Sequence, residues 1–141
     1  REDIMQIFFS KMRCLFGLIS IVTGLYTNAL EVGVRNALMA TTVDSSNRIV
    51  AAGYSLNADQ DRLLLARYVV NGALDSSFGT GGVVTTAISG SNARANAVAI
   101  QADDKIVAAG YSSGSSGTVC LVARYSSSGV LDNTFGTAGI R

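Results

Sequence analysis

The sequence predicts an all-β fold built from short antiparallel strands. Three observations lead to this prediction: the chain repeats itself, its apolar runs are short, and no sustained helical periodicity follows residue 30. The apolar runs hold four to eight residues, are rich in Val, Ile, Tyr and Thr, and are bounded by Gly, Asn, Asp and Ser. These features are typical of strands joined by tight turns.

The repeat has a period of 57 residues. Residues 49–55 (IVAAGYS) recur as residues 106–112 (IVAAGYS), a shift of 57 positions. The same shift, without any gap, carries residues 66–68 onto 123–125 and residues 78–80 onto 135–137. Chance does not preserve one register over such a distance. Residues 30–141 therefore form two copies of one unit, over about 39–95 and 96–141, and the second copy is truncated.

Each unit is predicted to hold four strands. Three of them are read at residues 97–101, 105–111 and 119–125, with a turn at 102–104 and a Ser/Gly loop at 112–117; the fourth is clearest at 82–88. Four such strands every fifty-odd residues indicate a β-propeller blade. Neighbouring blades would cover both faces, which explains the nearly continuous apolar runs. Small Ala and Gly residues in the second strand are expected to let adjacent sheets approach closely.

The loop between the third and fourth strands carries structural signals. Asn71 and Gly72 suit a tight turn, since Gly adopts a positive φ readily. Asp75 is expected to accept hydrogen bonds from the amides just downstream. Phe78 is the large apolar residue of this polar loop, and we expect it to fill the gap between two blades. Residues 79–82 (GTGG) let the chain re-enter the sheet.

Two arginines recur with the repeat. Arg67 and Arg124 stand at equivalent positions, as do Asp75 and Asp132. We predict that each arginine bonds a neighbouring loop or a carboxylate such as these. Residues that recur with the unit are expected to serve its packing rather than a reaction.

The N-terminal segment has the pattern of a secretory signal peptide. Lys11 and Arg13 precede an apolar run over residues 14–25, which ends at the small residues Thr27 and Ala29. We predict a signal-peptide helix that is cleaved after Ala29, so that residues 1–29 are upstream residues and signal. The alternatives are a core helix or an uncleaved anchor, and membrane contact would then be confined to residues 5–29. The protein is expected to be exported: secreted, periplasmic or on the cell surface.

Composition limits the chemistry. Lys and Arg number 11 against 10 Asp and Glu, the net charge is +1, and there is no His. A balanced charge argues against a nucleic-acid partner, and the lack of His removes the commonest general base and metal ligand. We therefore predict no catalytic, cofactor-binding or metal-binding residues and no cofactor. Cys120 is left alone once Cys14 leaves with the signal, so no internal disulfide is expected.

Three patterns resemble sites without completing them. Asn57, Asp59 and Asp61 have the spacing of calcium ligands, but a calcium-binding loop would need Gly and Glu where Arg62 and Tyr68 stand. A solvated hairpin tip is the better interpretation. The adjacent carboxylates at residues 103–104 are explained by a turn. Residues 79–82 lack the Lys and the helix of a phosphate-binding loop.

The residues set out above resemble the delta-60 repeat, a β-propeller-type repeat of bacterial secreted and surface proteins. The resemblance is carried by residues 65–68, 72–86 and 97–107 and covers roughly 38–141. It departs at the turn, where the family usually reads Pro-Asp-Gly-Lys and this chain has SSNR at 45–48 and ADDK at 102–105. Asn and Asp tolerate left-handed geometry there. The resemblance implies architecture and an exported setting, and it carries no catalytic residues.

These observations predict a non-catalytic exported or cell-surface module, not an enzyme, that interacts with an unknown protein or ligand. The alternative is a fragment of an exported propeller enzyme whose catalytic residues lie outside this chain. A propeller usually has about four to eight blades, whereas this sequence holds one and most of a second. We expect a fragment of a longer protein; the alternative is a ring of several copies. Exposed blade edges are expected to favour self-association.

Overall fold

The computed structural model describes residues 35–56 and 60–141. The predicted signal peptide, at 1–29, lies outside the described residues. In the described part seven strands form two antiparallel sheets. The first sheet contains β1 (Arg35–Val43), β2 (Ile49–Leu56), β3 (Asp61–Tyr68) and β4 (Val83–Thr86), in that order. The second contains β5 (Ser91–Ile100), β6 (Ile106–Gly114) and β7 (Gly117–Tyr125).

Both sheets are meanders in which each strand pairs with the next. The register repeats with the sequence. Ala66 of β3 lies opposite Val83 of β4, and 57 residues later Ala123 of β7 forms a bridge with Ile140. Arg141 then exchanges two backbone hydrogen bonds of 2.8 Å with Val122. The chain thus returns to β7 at the place that β4 occupies beside β3. The all-β, antiparallel prediction is confirmed, with no helix in the described residues.

Several strand boundaries differ from the prediction, and β4 is shorter than the predicted 82–88. β5 begins at Ser91, six residues before the expected start at residue 97. β6 runs to Gly114 and β7 starts at Gly117, so the expected loop over 112–117 shrinks to the two residues between them. Ser and Gly pair in this ladder because strand pairing uses backbone groups, which every such residue has. Gly117 has a φ of 106°, which the tight reversal requires.

The second strand of each unit contains a glycine that faces the backbone of the first strand. A Cβ on Gly53 would lie 1.8 Å from the carbonyl oxygen of Ala37, and one on Gly110 would lie 1.9 Å from that of Arg94. These carbonyls stand beside bulges, which fall between Leu38 and Ala40 and between Ala95 and Ala97. At these glycines the close approach is between strands of one sheet. The expected approach between adjacent sheets is therefore wrong for Gly53 and Gly110.

The core lies between the two sheets, and β5 packs against β1, β2 and β3. The buried residues of β2 and β3 that face it are Val50, Ala52, Leu63 and Leu65. Those of β5, β6 and β7 are Ala93, Ala95, Ile106, Ala108, Leu121, Ala123 and Tyr125. Phe78 is fully buried among them, as predicted. Val50 faces this core but its equivalent Val107 does not, so the two units contribute opposite faces. The packing is head-to-tail.

The glycine contact predicts the effect of one added methyl group. Gly110→Ala should destabilise the chain by about 1–3 kcal/mol, because the new Cβ overlaps the carbonyl of Arg94. The measurement is the midpoint of urea unfolding. Ser113→Ala on the same strand is the control and should leave the midpoint nearly unchanged. If both variants unfold at the wild-type midpoint, the close approach is not a constraint on the fold.

Candidate functional site

The loop after β3 begins with the predicted tight turn. The amide of Gly72 donates to the carbonyl of Val69 at 2.8 Å, and Gly72 has a φ of 86°. The side-chain oxygen of Asn71 accepts a hydrogen bond of 3.0 Å from the amide of Ala73. A left-handed residue is needed at this point of the turn, and glycine adopts that geometry without strain. The turn directs the chain back along the end of the sheet.

Asp75 orders the next part of the loop. Its Oδ1 accepts the amide of Ser77 at 3.0 Å and the hydroxyl of Ser77 at 2.6 Å. Its backbone carbonyl accepts the amide of Phe78 at 2.9 Å. The predicted hydrogen bonds from downstream amides are therefore confirmed at Ser77. They place Phe78 so that its ring enters the core between the sheets.

Five residues form a group that we call the first loop cluster: Arg48, Arg67, Asp75, Ser77 and Phe78. Arg67 donates from Nε to Asp75 Oδ2 at 2.9 Å and from Nη2 to Ser77 Oγ at 3.1 Å. Its guanidinium also lies 4.6 Å from the centre of the Phe78 ring. Arg48 adds a second cation, 3.5 Å from Asp75 Oδ2. The predicted pairing of Arg67 with Asp75 is confirmed.

The second repeat contains the equivalent group, the second loop cluster: Lys105, Arg124, Asp132, Thr134 and Phe135. Arg124 Nε lies 2.9 Å from Asp132 Oδ2, and its Nη2 lies 3.3 Å from Thr134 Oγ1. The guanidinium is 4.7 Å from the centre of the Phe135 ring. Lys105 takes the place of Arg48, 3.3 Å from Asp132 Oδ2. The predicted pairing of Arg124 with Asp132 is confirmed as well.

The first loop cluster also joins the two repeats. Arg67 Nη1 donates to the carbonyl of Ser127, and the amide of Gly79 donates to the carbonyl of Ser128 at 3.0 Å. The Arg67 side chain is accordingly 4% exposed, against 20% for Arg124. A buried guanidinium needs a partner for each part of its fork. The first loop cluster therefore joins the two repeats, whereas the equivalent residues of the second loop cluster are more exposed to solvent.

Both carboxylates are held in the ionised form. The hydrogen bond from the Ser77 hydroxyl lowers the pKa of Asp75 most, and the Ser77 amide and Arg67 lower it further. For Asp132 the hydroxyl and amide of Thr134 lower the pKa, with Lys105 and Arg124 adding to the effect. A carboxylate saturated with donors is a weak base, because protonation would cost those bonds. These groups are suited to holding loops together rather than to proton transfer.

Of the three candidate calcium ligands the structure describes only Asp61. Asn57 and Asp59 lie outside the described part. Asp61 is buried, and its carboxylate accepts from Nε of Arg94 on β5, while its amide donates to Asn92 Oδ1 at 2.8 Å. Asp61 thus joins the two sheets. Within residues 35–56 and 60–141 no group of three or more Cys, Asp or Glu side chains is arranged to hold a metal ion.

The remaining singled-out residues lie in turns or on a sheet surface. Asn47 and Asp104 have φ values of 58° and 60°, so the left-handed geometry expected at these turns is confirmed. Asp103 accepts the amide of Lys105 at 3.3 Å, which confirms its turn role. Cys120 is a free and exposed thiol on β7.

Three of these contacts were not predicted from the sequence. The salt bridges from Arg48 and Lys105 could have been inferred, since both cations stand at equivalent repeat positions. The bond between Asp61 and Arg94 has no such signal. Thr118 stands where the second repeat would need the aspartate, so the repeat does not reveal this pair.

The repeated geometry agrees with the comparison of the sequence with family models. Residues 45–78 and 101–135 match the model described as a β-propeller domain of unknown function, DUF5122. The chain is a β-propeller repeat protein. The matched segments run from the turn before the second strand to the phenylalanine of each loop cluster. Comparison with curated proteins gives no match. No helix long and apolar enough to span a membrane occurs in the described part of the propeller repeats.

The two loop clusters predict unequal effects of one substitution. Arg67→Ala should destabilise the chain by about 3 kcal/mol, because it removes a buried cation from Asp75 and leaves the Ser127 carbonyl without its donor. Arg124→Ala should cost clearly less, since this side chain is more exposed and makes no bond to a neighbouring repeat among the described residues. Thermal unfolding of both variants measures the difference. Equal losses would contradict the bridging role of Arg67.

Acid should destabilise the protein through the same aspartates. Their pKa values are lowered in the folded state, so the stability they contribute is complete above the unfolded pKa of about 3.9 and is lost as the pH falls below it. We expect the urea midpoint to be level from pH 8 to about pH 5 and to decrease towards pH 3. Asp75→Asn should make the urea midpoint decrease less between pH 5 and pH 3, whereas Asp103→Asn, at an exposed position, should leave this decrease unchanged. If the urea midpoint of Asp75→Asn decreases with pH as in the wild type, the lowered pKa of Asp75 is not a cause of the acid destabilisation.

Proposed function

We propose that this chain is an exported, non-catalytic β-propeller protein of the delta-60 repeat type whose hairpin tips bind a protein partner. One observation carries the proposal. The two repeats keep the residue types of their loop clusters but differ at the hairpin between their second and third strands. A constant scaffold with variable loops is the arrangement in which binding surfaces are commonly found.

The constant part has a structural role in both repeats. Arginine, aspartate and phenylalanine occupy equivalent positions, and in each cluster the arginine contacts the other two. These polar groups bond each other within the described residues, and they fix the end of the sheet where the loop lies.

The hairpin at the opposite end of the sheet differs between the repeats. In the first repeat the segment 57–61 reads NADQD, and in the second the equivalent segment 114–118 reads GSSGT. In the second repeat Ser115 and Ser116 connect β6 to β7 and are exposed. Their hydroxyl groups can donate and accept hydrogen bonds, and their small size leaves the backbone accessible. This chemistry suits the polar backbone of a protein partner.

Export is supported by the order of basic, apolar and small residues over 5–29. It places the tips where an extracellular or envelope protein could reach them. The near-zero net charge argues against nucleic acid as the ligand.

A site-specific crosslink tests the proposal. A photoreactive residue is placed at Ser115 and, as the matched control, at Asp103, which is exposed at the other end of β6. Both variants are expressed in the cells that make this protein. We expect processed protein outside the cytoplasm and a discrete crosslinked product from position 115 only. Unprocessed cytoplasmic protein would contradict export, and equal labelling from both positions, or none, would contradict binding at the tips.

A further inference from the structure

Arg94 leaves more of its guanidinium unbonded than the arginines of the loop clusters do. Arg48, Arg67 and Arg124 each donate from at least two of their three guanidinium nitrogens. Arg94 donates only from Nε, to Asp61 Oδ2, and neither of its Nη groups has an acceptor among the described residues. Its side chain is 34% exposed and these Nη groups are not buried, so a ligand can reach them without any movement of the chain.

The first repeat holds this guanidinium in place. The carboxylate of Asp61, a side chain that is 5% exposed, accepts from Nε, and the centre of the Tyr54 ring lies 4.2 Å from the guanidinium carbon. The hydrogen bond to Asp61 raises the pKa of Arg94 most; partial burial lowers it, while the charge of Asp61 and the phenol groups of Tyr111 and Tyr54 raise it further. The cation therefore stays charged and has little conformational freedom to lose when a ligand binds.

Tyr111 supplies a hydroxyl group beside the guanidinium. Arg94 on β5 and Tyr111 on β6 lie directly opposite each other, so their side chains share one face of the second sheet. Tyr54 and Tyr111 are equivalent residues of the two repeats and both are partly exposed. Within the described part of the chain neither tyrosine hydroxyl has a hydrogen-bond partner. We call the group formed by Tyr54, Asp61, Arg94 and Tyr111 the Arg94 site.

The Arg94 site lies beside the hairpin tips of both repeats. Asp61 is the first residue of β3, directly after the tip of the first repeat. Its amide donates to Asn92 Oδ1 at 2.8 Å, which keeps the start of β3 against β5. Tyr111 lies in the last part of β6, close in sequence to Ser115 at the tip of the second repeat. A partner that contacts the tips would therefore meet the guanidinium as well.

We propose that the Arg94 site binds a carboxylate group of the protein partner that contacts the hairpin tips. The existence of that partner rests on the proposed function, whereas the class of ligand follows from the site. The two Nη groups form a planar fork that matches the two oxygens of a carboxylate, and the Tyr111 hydroxyl adds a third donor. Asp61 already compensates part of the positive charge. A singly charged carboxylate is therefore a better match than a phosphate, which carries about −1.5 to −2 charges.

Short peptides test the class of ligand. The isotopically labelled full chain is titrated with three peptides: acetylated and amidated Gly-Glu-Gly, its Gly-Gln-Gly counterpart, and acetylated Gly-Gln-Gly that ends in a free carboxylate. We expect a peptide with a carboxylate to shift the NMR signals of the Arg94 guanidinium saturably, with a Kd of about 1 mM. A response to the first peptide assigns an acidic side chain as the source, and a response to the third assigns a chain terminus. No saturable shift from either, or an equal shift from the amidated Gln peptide, overturns the proposal.

Substitutions locate the binding. Tyr111→Phe removes only a hydroxyl that has no partner among the described residues, so the variant should fold normally and raise the Kd about tenfold. Tyr68→Phe, at the other end of β3, is the matched control and should keep the wild-type Kd. Arg94→Lys keeps the charge but loses the planar fork, and should also raise the Kd about tenfold. A wild-type Kd in the folded Arg94→Lys variant overturns the proposal; if that variant does not fold, a wild-type Kd in Tyr111→Phe does so.

The crosslink from position 115 connects the site with the partner. We expect Arg94→Lys, or Tyr111→Phe if the lysine variant does not fold, to lower the yield of crosslinked product about tenfold. An undiminished yield overturns the role of the Arg94 site, while partner binding at the hairpin tips stands. If no product forms even with Arg94 and Tyr111 intact, the proposed function is contradicted, and the peptide titration alone decides whether the site takes a carboxylate.

Discussion

The arrangement of the two sheets depends on one buried guanidinium. Arg67 bonds Asp75 and Ser77 of its own loop, donates to the Ser127 carbonyl of the next repeat and lies over the Phe78 ring. A cation in this position is tolerated only because each part of its fork has a partner. Burial of the charge therefore requires the folded loop, and the bond from Arg67 to Ser127 joins that loop to the second repeat.

The parts of this arrangement that recur could be predicted from the sequence. A fixed shift of 57 residues places arginine, aspartate and phenylalanine in the same relation twice. Local chemistry then accounts for the loop bonds of Asp75, the turn at Gly72 and the left-handed residues at Asn47 and Asp104. Each of these depends on neighbours within a few residues, which is why the pattern was sufficient.

The parts that do not recur could not be predicted. The bond between Asp61 and Arg94 joins different sheets and has no counterpart in the second repeat, where Thr118 stands. The sequence predicts a loop after β6 because Ser and Gly carry no strand signal, yet their backbones complete the ladder. The residue pattern predicts that Gly53 serves a contact between sheets, because it contains no signal for the bulge that brings Ala37 close to this glycine.

Two copies of one sequence unit therefore do not have one environment. Leu63 is buried while Cys120 at the equivalent position is exposed. The Arg67 side chain is buried, whereas that of Arg124 is partly exposed. The difference arises from which neighbour lies against each face, because even identical residues differ: Val50 and Phe78 are buried, whereas Val107 and Phe135 are not. In a repeat protein the unit fixes its own loops and strands, but the burial of its charges and apolar side chains is determined by the contact between units. The chemistry that a sheet face can offer therefore depends on which repeat packs against it. The sequence of the hairpin tips varies independently of that packing.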